Sequence, residues 1–417
     1  MLELLAALTW YWGRPRLEAL RLLLFPPDVG LQRYQERYLQ ALAQQGFPPR
    51  QQGIWVQSAR QLLVNHQGDR PLSAASVTKV ATSLAVLEKY PFDYQFLTRI
   101  GTTGTVANGV LRGDLVLIGG NDPLFVWEEA IALGNALNRL GIHQVQGNLV
   151  IVPPFMMNFY SELQTAAELF KLALDHRRWT PEIQAAYKQH LNGQPRPQVS
   201  ITGGTRFSGT IPAGVTLRLE HRSLPLGEIV RQMNIYSNNE IAATLAKMAG
   251  GAATVAQVAA RKANVPPGEI QLVNGSGLGE ENRISPRAAC GMLFALQAML
   301  ARQNRSLADV LPMAGRDRGT LETRQLPAAT LVKTGSLWNV SALVGVLPTA
   351  KYGTVCFALL NGGDNLEGFR RAQDRYVQHL SQTLQPPPHL GAEFHSQTLA
   401  PRLGDPRRIQ VVRFNRP

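Results

Sequence analysis

Ser76 and Lys79 stand three residues apart in the stretch AASVTKVATSLAVLEKY, residues 74–90. Val80, Leu84 and Leu87 follow at helical spacing, so the spacing predicts a helix that begins near Ser76. Residues i and i+3 share a helix face, which lets the lysine amine touch the serine hydroxyl. The positive end of the helix dipole then favours negative charge on the serine oxygen. This is a nucleophile that needs no histidine. The amine must lose its proton to serve as base, a drop of about 3 pKa units or about 4 kcal/mol. Burial and a second cation supply such shifts. Taken alone, a serine at a helix start with a solvent-facing lysine is the simpler reading.

Two further motifs follow in order: Ser237-Asn238-Asn239, and Lys333-Thr334-Gly335 followed by Ser336. The first falls in a turn between two predicted helices, SLPLGEIVRQMNIY and NEIAATLAKMAGG. The second falls on a strand that runs to Leu337, with strands ending near Leu347 and spanning Thr354 to Leu360 after it. Alone, a Ser-Asn-Asn turn is a helix cap and a Lys-Thr-Gly is a strand end. All three in one order and in fitting contexts point to one constellation.

The elements that hold them are read in the same way. Residues 31–46 place Leu31, Tyr34, Tyr38 and Leu42 on a helical stripe. GIWVQSARQLLVNHQG reads as a β-hairpin, and NLEGFRRAQDRYVQHLSQTL as a C-terminal helix. Between Tyr90-Pro91 and the second motif lies a glycine-rich segment of short apolar runs, interrupted by WEEAIALGNALNRLG. The expected organisation is therefore discontinuous: a catalytic domain of residues 31–92 and 218–385, an inserted, mostly β domain of residues 93–217, and a basic, Pro-rich tail of residues 386–417 with little order. The fold class is α+β.

The chain resembles the D-alanyl-D-alanine carboxypeptidase/endopeptidase type of low-molecular-mass penicillin-binding protein, the type with an extra domain inserted after the Ser-x-x-Lys motif. The matching stretches are ASVTK, GDLVLIGGNDP, SLPLGEIVRQMN leading into YSNNE, NGSGL with NRISP, and KTGSL. The resemblance implies a penicillin-recognising, β-lactamase/transpeptidase-like serine acyltransferase fold. It implies that Ser76 attacks the penultimate D-alanine carbonyl of a peptidoglycan stem peptide. Lys79 takes the serine proton, Ser237 relays it to the leaving amine, and Asn239 bonds Lys79 and the substrate. Lys333, Thr334 and Ser336 suit the terminal carboxylate, and Gly335 lets substrate lie close to the strand. Backbone N–H groups of Ser76 and Ser336 form the oxyanion hole. A β-lactam traps Ser76. Asp122, in GGNDP, resembles an insertion-domain acid of relatives that faces the cleft; its other reading is a turn residue. Relatives carry a basic residue where this chain has Gly279-Glu280-Glu281, with Arg283 displaced from that place, so recognition of the stem-peptide side chain differs.

The expected function is thus D,D-carboxypeptidase, with D,D-endopeptidase action as a second capacity. The rivals are a serine β-lactamase or esterase, which the length of the insertion disfavours, and a catalytically silent wall-binding module, which the intact triple disfavours. The net charge of +13, from 42 Lys and Arg against 29 Asp and Glu, suits an anionic wall polymer or a membrane surface. No basic run is interleaved with aromatics, so nucleic acid is not an expected partner. Cys290 and Cys356 sit in apolar stretches and read as two buried free thiols, with a disulfide as the alternative. His66, His143, His176 and His221 show no metal or triad spacing, and neither metal nor cofactor is expected. Residues 1–30 read as an atypical export signal or a membrane-associating segment, because early positive charge is missing. A periplasmic or other extracytoplasmic location follows from the substrate.

Overall fold

The computed structural model describes residues 28–397 and 402–412. The segment expected as a signal, residues 1–30, lies outside the described residues save for its last three. The chain divides into two compact units: residues 28–92 with 230–397, and residues 93–229 with 402–412.

The first unit is built on a five-stranded antiparallel sheet. Its strands are β1 (Gln52–Ser58), β2 (Leu62–His66), β3 (Leu331–Leu337), β4 (Val340–Thr349) and β5 (Gly353–Gly362), in the order β3-β4-β5-β1-β2. Every residue of β1 and of β4 is buried, so these strands are covered on both faces and read as near-continuous apolar runs. On one face lie α1 (Val29–Gln44) and the C-terminal helix Leu366–Leu384. Leu31, Tyr38 and Leu42 of the first and Phe369, Tyr376 and Leu380 of the second pack with Ile54, Val56, Phe357 and Leu359 of the sheet. Tyr38 and Tyr376 meet edge to face at 5.2 Å, and the Tyr38 hydroxyl donates to Asn361 Oδ1 at 3.1 Å, which satisfies the one polar atom that this ring buries. Asp28 starts α1 by accepting from Gly30 N and Leu31 N.

The other face is covered by a helical layer. It comprises α2 (Thr78–Lys89), α3 (Leu226–Tyr236), α4 (Asn239–Ala249), α5 (Ala252–Ala263) and α6 (Pro286–Ala301); the C-terminal helix is α7. Ten of the twelve residues of α2 are buried, from Thr78 to Leu87, so the catalytic helix is the centre of this layer.

The two cysteines correct the first expectation. Cys290 of α6 and Cys356 of β5 are disulfide-bonded, with Cα atoms 5.8 Å apart. Sixty-six residues separate them in sequence, and only the packing of α6 across β5 brings them together. The bond closes a long loop and restricts the unfolded chain. Changing both to alanine is therefore expected to lower stability by about 3 kcal/mol, read by denaturant unfolding, with the wild type in reductant moving toward the same value.

The second unit holds a six-stranded and a four-stranded sheet. It also carries three helices, Trp127–Arg139, Leu163–Leu174 and Pro181–His190. It extends to residue 229 rather than 217, because α3 begins inside it. The tail expected to have little order contributes a strand: Ile409–Val411 pairs antiparallel with Leu219–His221 at the edge of the larger sheet. Proline richness excludes long elements, but three residues suffice for an edge strand. Arg408 then anchors the tail, donating to Glu129 Oε1 at 2.6 Å and to Arg222 O at 2.9 Å.

Candidate active site

A single 3₁₀ turn, Ala75–Val77, runs directly into α2 and puts Ser76 at the helix start. Ala75, just before it, has φ +43°, a region that costs a non-glycine residue roughly 1–3 kcal/mol. Gly277 explains how this strained turn is held. A Cβ on Gly277 would stand 1.9 Å from Ala75 O, so only glycine lets the segment of residues 274–278 close over the turn that carries Ser76.

Lys79 Nζ donates to Ser76 Oγ at 2.9 Å, to Asn239 Oδ1 at 2.8 Å and to Ser276 O at 2.7 Å. The expected contact between the serine and the lysine one turn on is thus formed. Ser237 sits between α3 and α4 at φ +55°, and its Oγ accepts from Lys333 Nζ at 3.1 Å. Asn238 is the helix cap, accepting from Ile241 N, while Asn239 faces Lys79. The middle residue of the motif therefore shapes the turn, and its two neighbours reach the lysines.

Both lysines are fully buried, and among the described residues no carboxylate bonds either of them: Lys333 Nζ donates to Ser237 Oγ and to Thr334 O, the latter at 2.8 Å. Burial lowers Lys79 to about 7. Burial, and then the charge on Lys79, lower Lys333 well below the usual lysine range. A neutral amine beside Ser76 is the state a general base requires.

The sequence did not mark two of the groups that complete this arrangement, the Ser276 carbonyl and Arg370. Ser276 acts through its backbone carbonyl, which no side-chain pattern reveals. Its loop is fixed by Asn274, whose Oδ1 accepts from Ser276 N and Gly277 N, and by Thr82 Oγ1, which donates to Gly275 O at 2.7 Å. Arg370 of α7 donates to Ser336 Oγ at 3.1 Å, and its other terminal nitrogen pairs with Glu367. Gly335 lies against the nucleophile turn: an added Cβ would stand 2.7 Å from Ala74 O and 3.0 Å from Ser76 N. Both atoms belong to backbone and yield little. Gly335→Ala is therefore expected to push Ser76 off β3 and slow its acylation about a hundredfold, the scale of one lost oxyanion donor, with unfolding midpoints as the control for fold.

Asp122 belongs to the second unit and is buried there. It accepts from Leu124 N at 2.9 Å, as a turn residue does. Burial raises its carboxyl to about 6, against the opposing pull of His221. His221 is buried as well and bonds Glu129 at 2.7 Å. Burial would raise Glu129, but its bonds to His221 and Arg408 outweigh this and hold it at about 2. These groups knit the second unit together. Glu280 accepts from Asn339 at 2.9 Å, and Glu281 is exposed.

A serine bonded to a buried lysine, beside a second lysine on a sheet edge, has the geometry of a candidate acyl-transfer site of the Ser/Lys kind. The family model described as D-Ala-D-Ala carboxypeptidase 3 (S13) matches residues 35–153 and 174–383, and the chain belongs to this family of serine peptidases. It is 31% identical over 358 residues to the carboxypeptidase Rv3627c of Mycobacterium tuberculosis, covering 75% of this chain and 76% of that protein. It is 22% identical over 401 residues to the D-alanyl-D-alanine carboxypeptidase DacB of Haemophilus influenzae, covering 72% and 83%. Its fold is that of the penicillin G-acylated predatory endopeptidase Bd3459 of Bdellovibrio bacteriovorus, solved with the immunity protein Bd3460: TM-score 0.73, 23% identity, 86% of this chain and 99% of that one. Penicillin-binding protein 4 of Haemophilus influenzae matches with TM-score 0.60, 17% identity, 84% and 99%. The inserted domain and the penicillin-recognising fold expected from the sequence are thus the fold of this chain.

Proposed function

We propose that the chain removes the terminal D-alanine from peptidoglycan stem peptides through an acyl-enzyme on Ser76. The observation that carries this is the Lys79 amine, buried without a carboxylate and 2.9 Å from Ser76 Oγ. Neutral Lys79 takes the Ser76 proton as Oγ bonds to the penultimate D-alanine carbonyl. The N–H groups of Ser76 and Ser336 receive the oxyanion. Ser237 passes a proton to the departing D-alanine nitrogen, the C–N bond breaks, and water then releases the peptide. Asn239 holds Lys79 and the peptide backbone. A substrate carboxylate arriving at Thr334 and Ser336 favours the charged form of Lys333. The same attack on a β-lactam carbonyl leaves Ser76 acylated.

Arg370 extends this carboxylate site, because its guanidinium already holds the Ser336 hydroxyl. Arg370→Ala is expected to raise KM for an acyl-D-Ala-D-Ala peptide about tenfold, the scale of one lost charge-assisted bond. The analogue amidated at its C-terminus should show no such change.

Work outside the cytoplasm fits the family and the Cys290–Cys356 bond, since disulfides persist in oxidising compartments; a periplasmic address is the finer form of this reading. Among the described residues no single helix is long and apolar enough to cross a membrane. The deciding experiment incubates wild type and Ser76→Ala with a fluorescent penicillin. Lasting covalent label on the wild type alone is expected. Label that forms and vanishes within seconds favours a β-lactamase, and no label on either folded protein overturns the reading.

A further inference from the structure

A cleft of about 580 Å³ opens at the end of the sheet where β3 turns into β4, a volume ordinary for a ligand site. Three of its walls continue chain segments that carry the catalytic groups. Ser73 stands three residues before Ser76, Glu280 four after Ser276, and Trp338 two after Ser336. At about 3.3 Å per residue, Trp338 lies roughly 7 Å along the chain from Ser336. The cleft thus adjoins the strand that carries Ser336, although Ser336 itself is not among its lining residues.

Its lining carries three arginines and two acids. Arg50, Arg70 and Arg283 line it, all exposed, and among the described residues no carboxylate lies within ion-pair distance of any of them. Arg70 is held in place by donating to Arg50 O at 2.9 Å and Gln67 Oε1 at 2.6 Å. Two acids, Glu280 and Asp364, also face the cleft. Glu280 is engaged by Asn339, a bond that ties the Ser276 loop to the β3–β4 turn. Trp338 is 73% exposed and offers a flat apolar face in the same cleft. Guanidinium forks match carboxylates, and a tryptophan face covers the apolar stem of a peptide. A neutral sugar would leave three cations without use.

We propose that this cleft is a second subsite, which holds the neighbouring stem peptide of a cross-linked substrate by its free carboxylates. It rests on the acyl-enzyme reading above and adds to it a reason for endopeptidase action. In a D,D-cross-link the penultimate D-alanine carbonyl of the carboxypeptidase substrate is replaced by one joined to a side-chain amine of the neighbouring stem. Ser76 Oγ bonds to that carbonyl, the C–N bond breaks, and the amine departs with the proton taken by Lys79 and relayed through Ser237. Water then hydrolyses the ester. The leaving group is now a whole peptide, and its carboxylates lie beyond Ser336.

The test compares two substrates purified from peptidoglycan digests: the disaccharide-pentapeptide monomer and the D,D-cross-linked tetrapeptide dimer. The Arg50→Ala/Arg283→Ala double variant and Trp338→Ala are assayed on each, with penicillin labelling of Ser76 as the control for fold. The expected result is a KM for the dimer raised about tenfold in the double variant, from two exposed ion pairs, with the monomer and the labelling rate unchanged. In the wild type, raising salt or amidating the dimer's free carboxylates should raise KM in the same way. Equal effects on both substrates, no effect on the dimer, or a wild type that is penicillin-labelled yet leaves the dimer uncut would overturn the subsite. A wild type that takes no penicillin label would overturn the acyl-enzyme reading instead, so the two failures are distinct.

Discussion

Lys79→Met is expected to slow acylation of Ser76 by a penicillin a thousand- to ten-thousandfold, at the upper end of what a general base contributes. Methionine is similar in length and unbranched, so the helix layer keeps its packing, and the loss reports the amine. Its Nζ is the atom that joins three separate segments, through Ser76 Oγ, Asn239 Oδ1 and Ser276 O. Among the described residues the second lysine is engaged elsewhere: Lys333 Nζ bonds Ser237 Oγ and Thr334 O. The wild type should further show a rate that climbs with pH up to about 7 and then levels, because burial lowers Lys79 to about 7 and only its neutral form accepts the proton. Stopped-flow acylation from pH 5.5 to 9 reads both. A variant that retains the climbing limb, or a loss under tenfold, would place the base elsewhere.

The clustering of the candidate residues was legible in the sequence because these side chains stand at fixed local spacing. Ser76 and Lys79 are one helical turn apart, and Ser237 and Asn239 flank a turn whose middle residue caps the next helix. The β-hairpin, the three strands after residue 330 and the C-terminal helix were legible for the same reason, since each has its own period. What remained hidden depends on packing between distant segments. Ser276 contributes a carbonyl that any residue type possesses. Arg370 is one of several arginines on a polar helix face, and only the docking of α7 on the sheet selects it. The cysteines are 66 residues apart and each sits in an apolar run, so the local sequence favours free thiols while the α6–β5 contact joins them. The tail shows how composition misleads at short range. Its prolines exclude a long element, and yet Arg408 finds Glu129 and three residues complete a sheet edge. Asp122, for which the sequence left a cleft-facing acid and a turn residue both open, accepts from Leu124 N as a turn residue does.

The same buried lysine that makes the nucleophile should make the fold sensitive to pH, and Lys79→Met should remove that sensitivity. In the unfolded chain Lys79 titrates near 10.5, and in the folded protein near 7. Between these values the unfolded state binds the extra proton, so wild-type stability rises with pH across this window and the penalty is complete below it. The size is about 4 kcal/mol from pH 7 to 10.5, of which roughly 2 kcal/mol falls between pH 7 and 9. The variant has no such group. Removing the Lys79 charge also relieves Lys333, whose lowered affinity for a proton comes from burial and then from Lys79, and this flattens the variant's profile further. The stability difference between variant and wild type should therefore shift in the variant's favour by roughly 2 kcal/mol on going from pH 9 to pH 7, whatever its absolute value after Asn239 Oδ1 and Ser276 O lose their donor. Lys333 apart, the remaining titrating groups are common to both proteins and cancel in the difference. Urea unfolding of the two proteins at pH 7, 8 and 9 measures it. A difference constant across that range would mean that Lys79 stays charged in the folded protein, and the base assigned to Ser76 would have to be sought in another group.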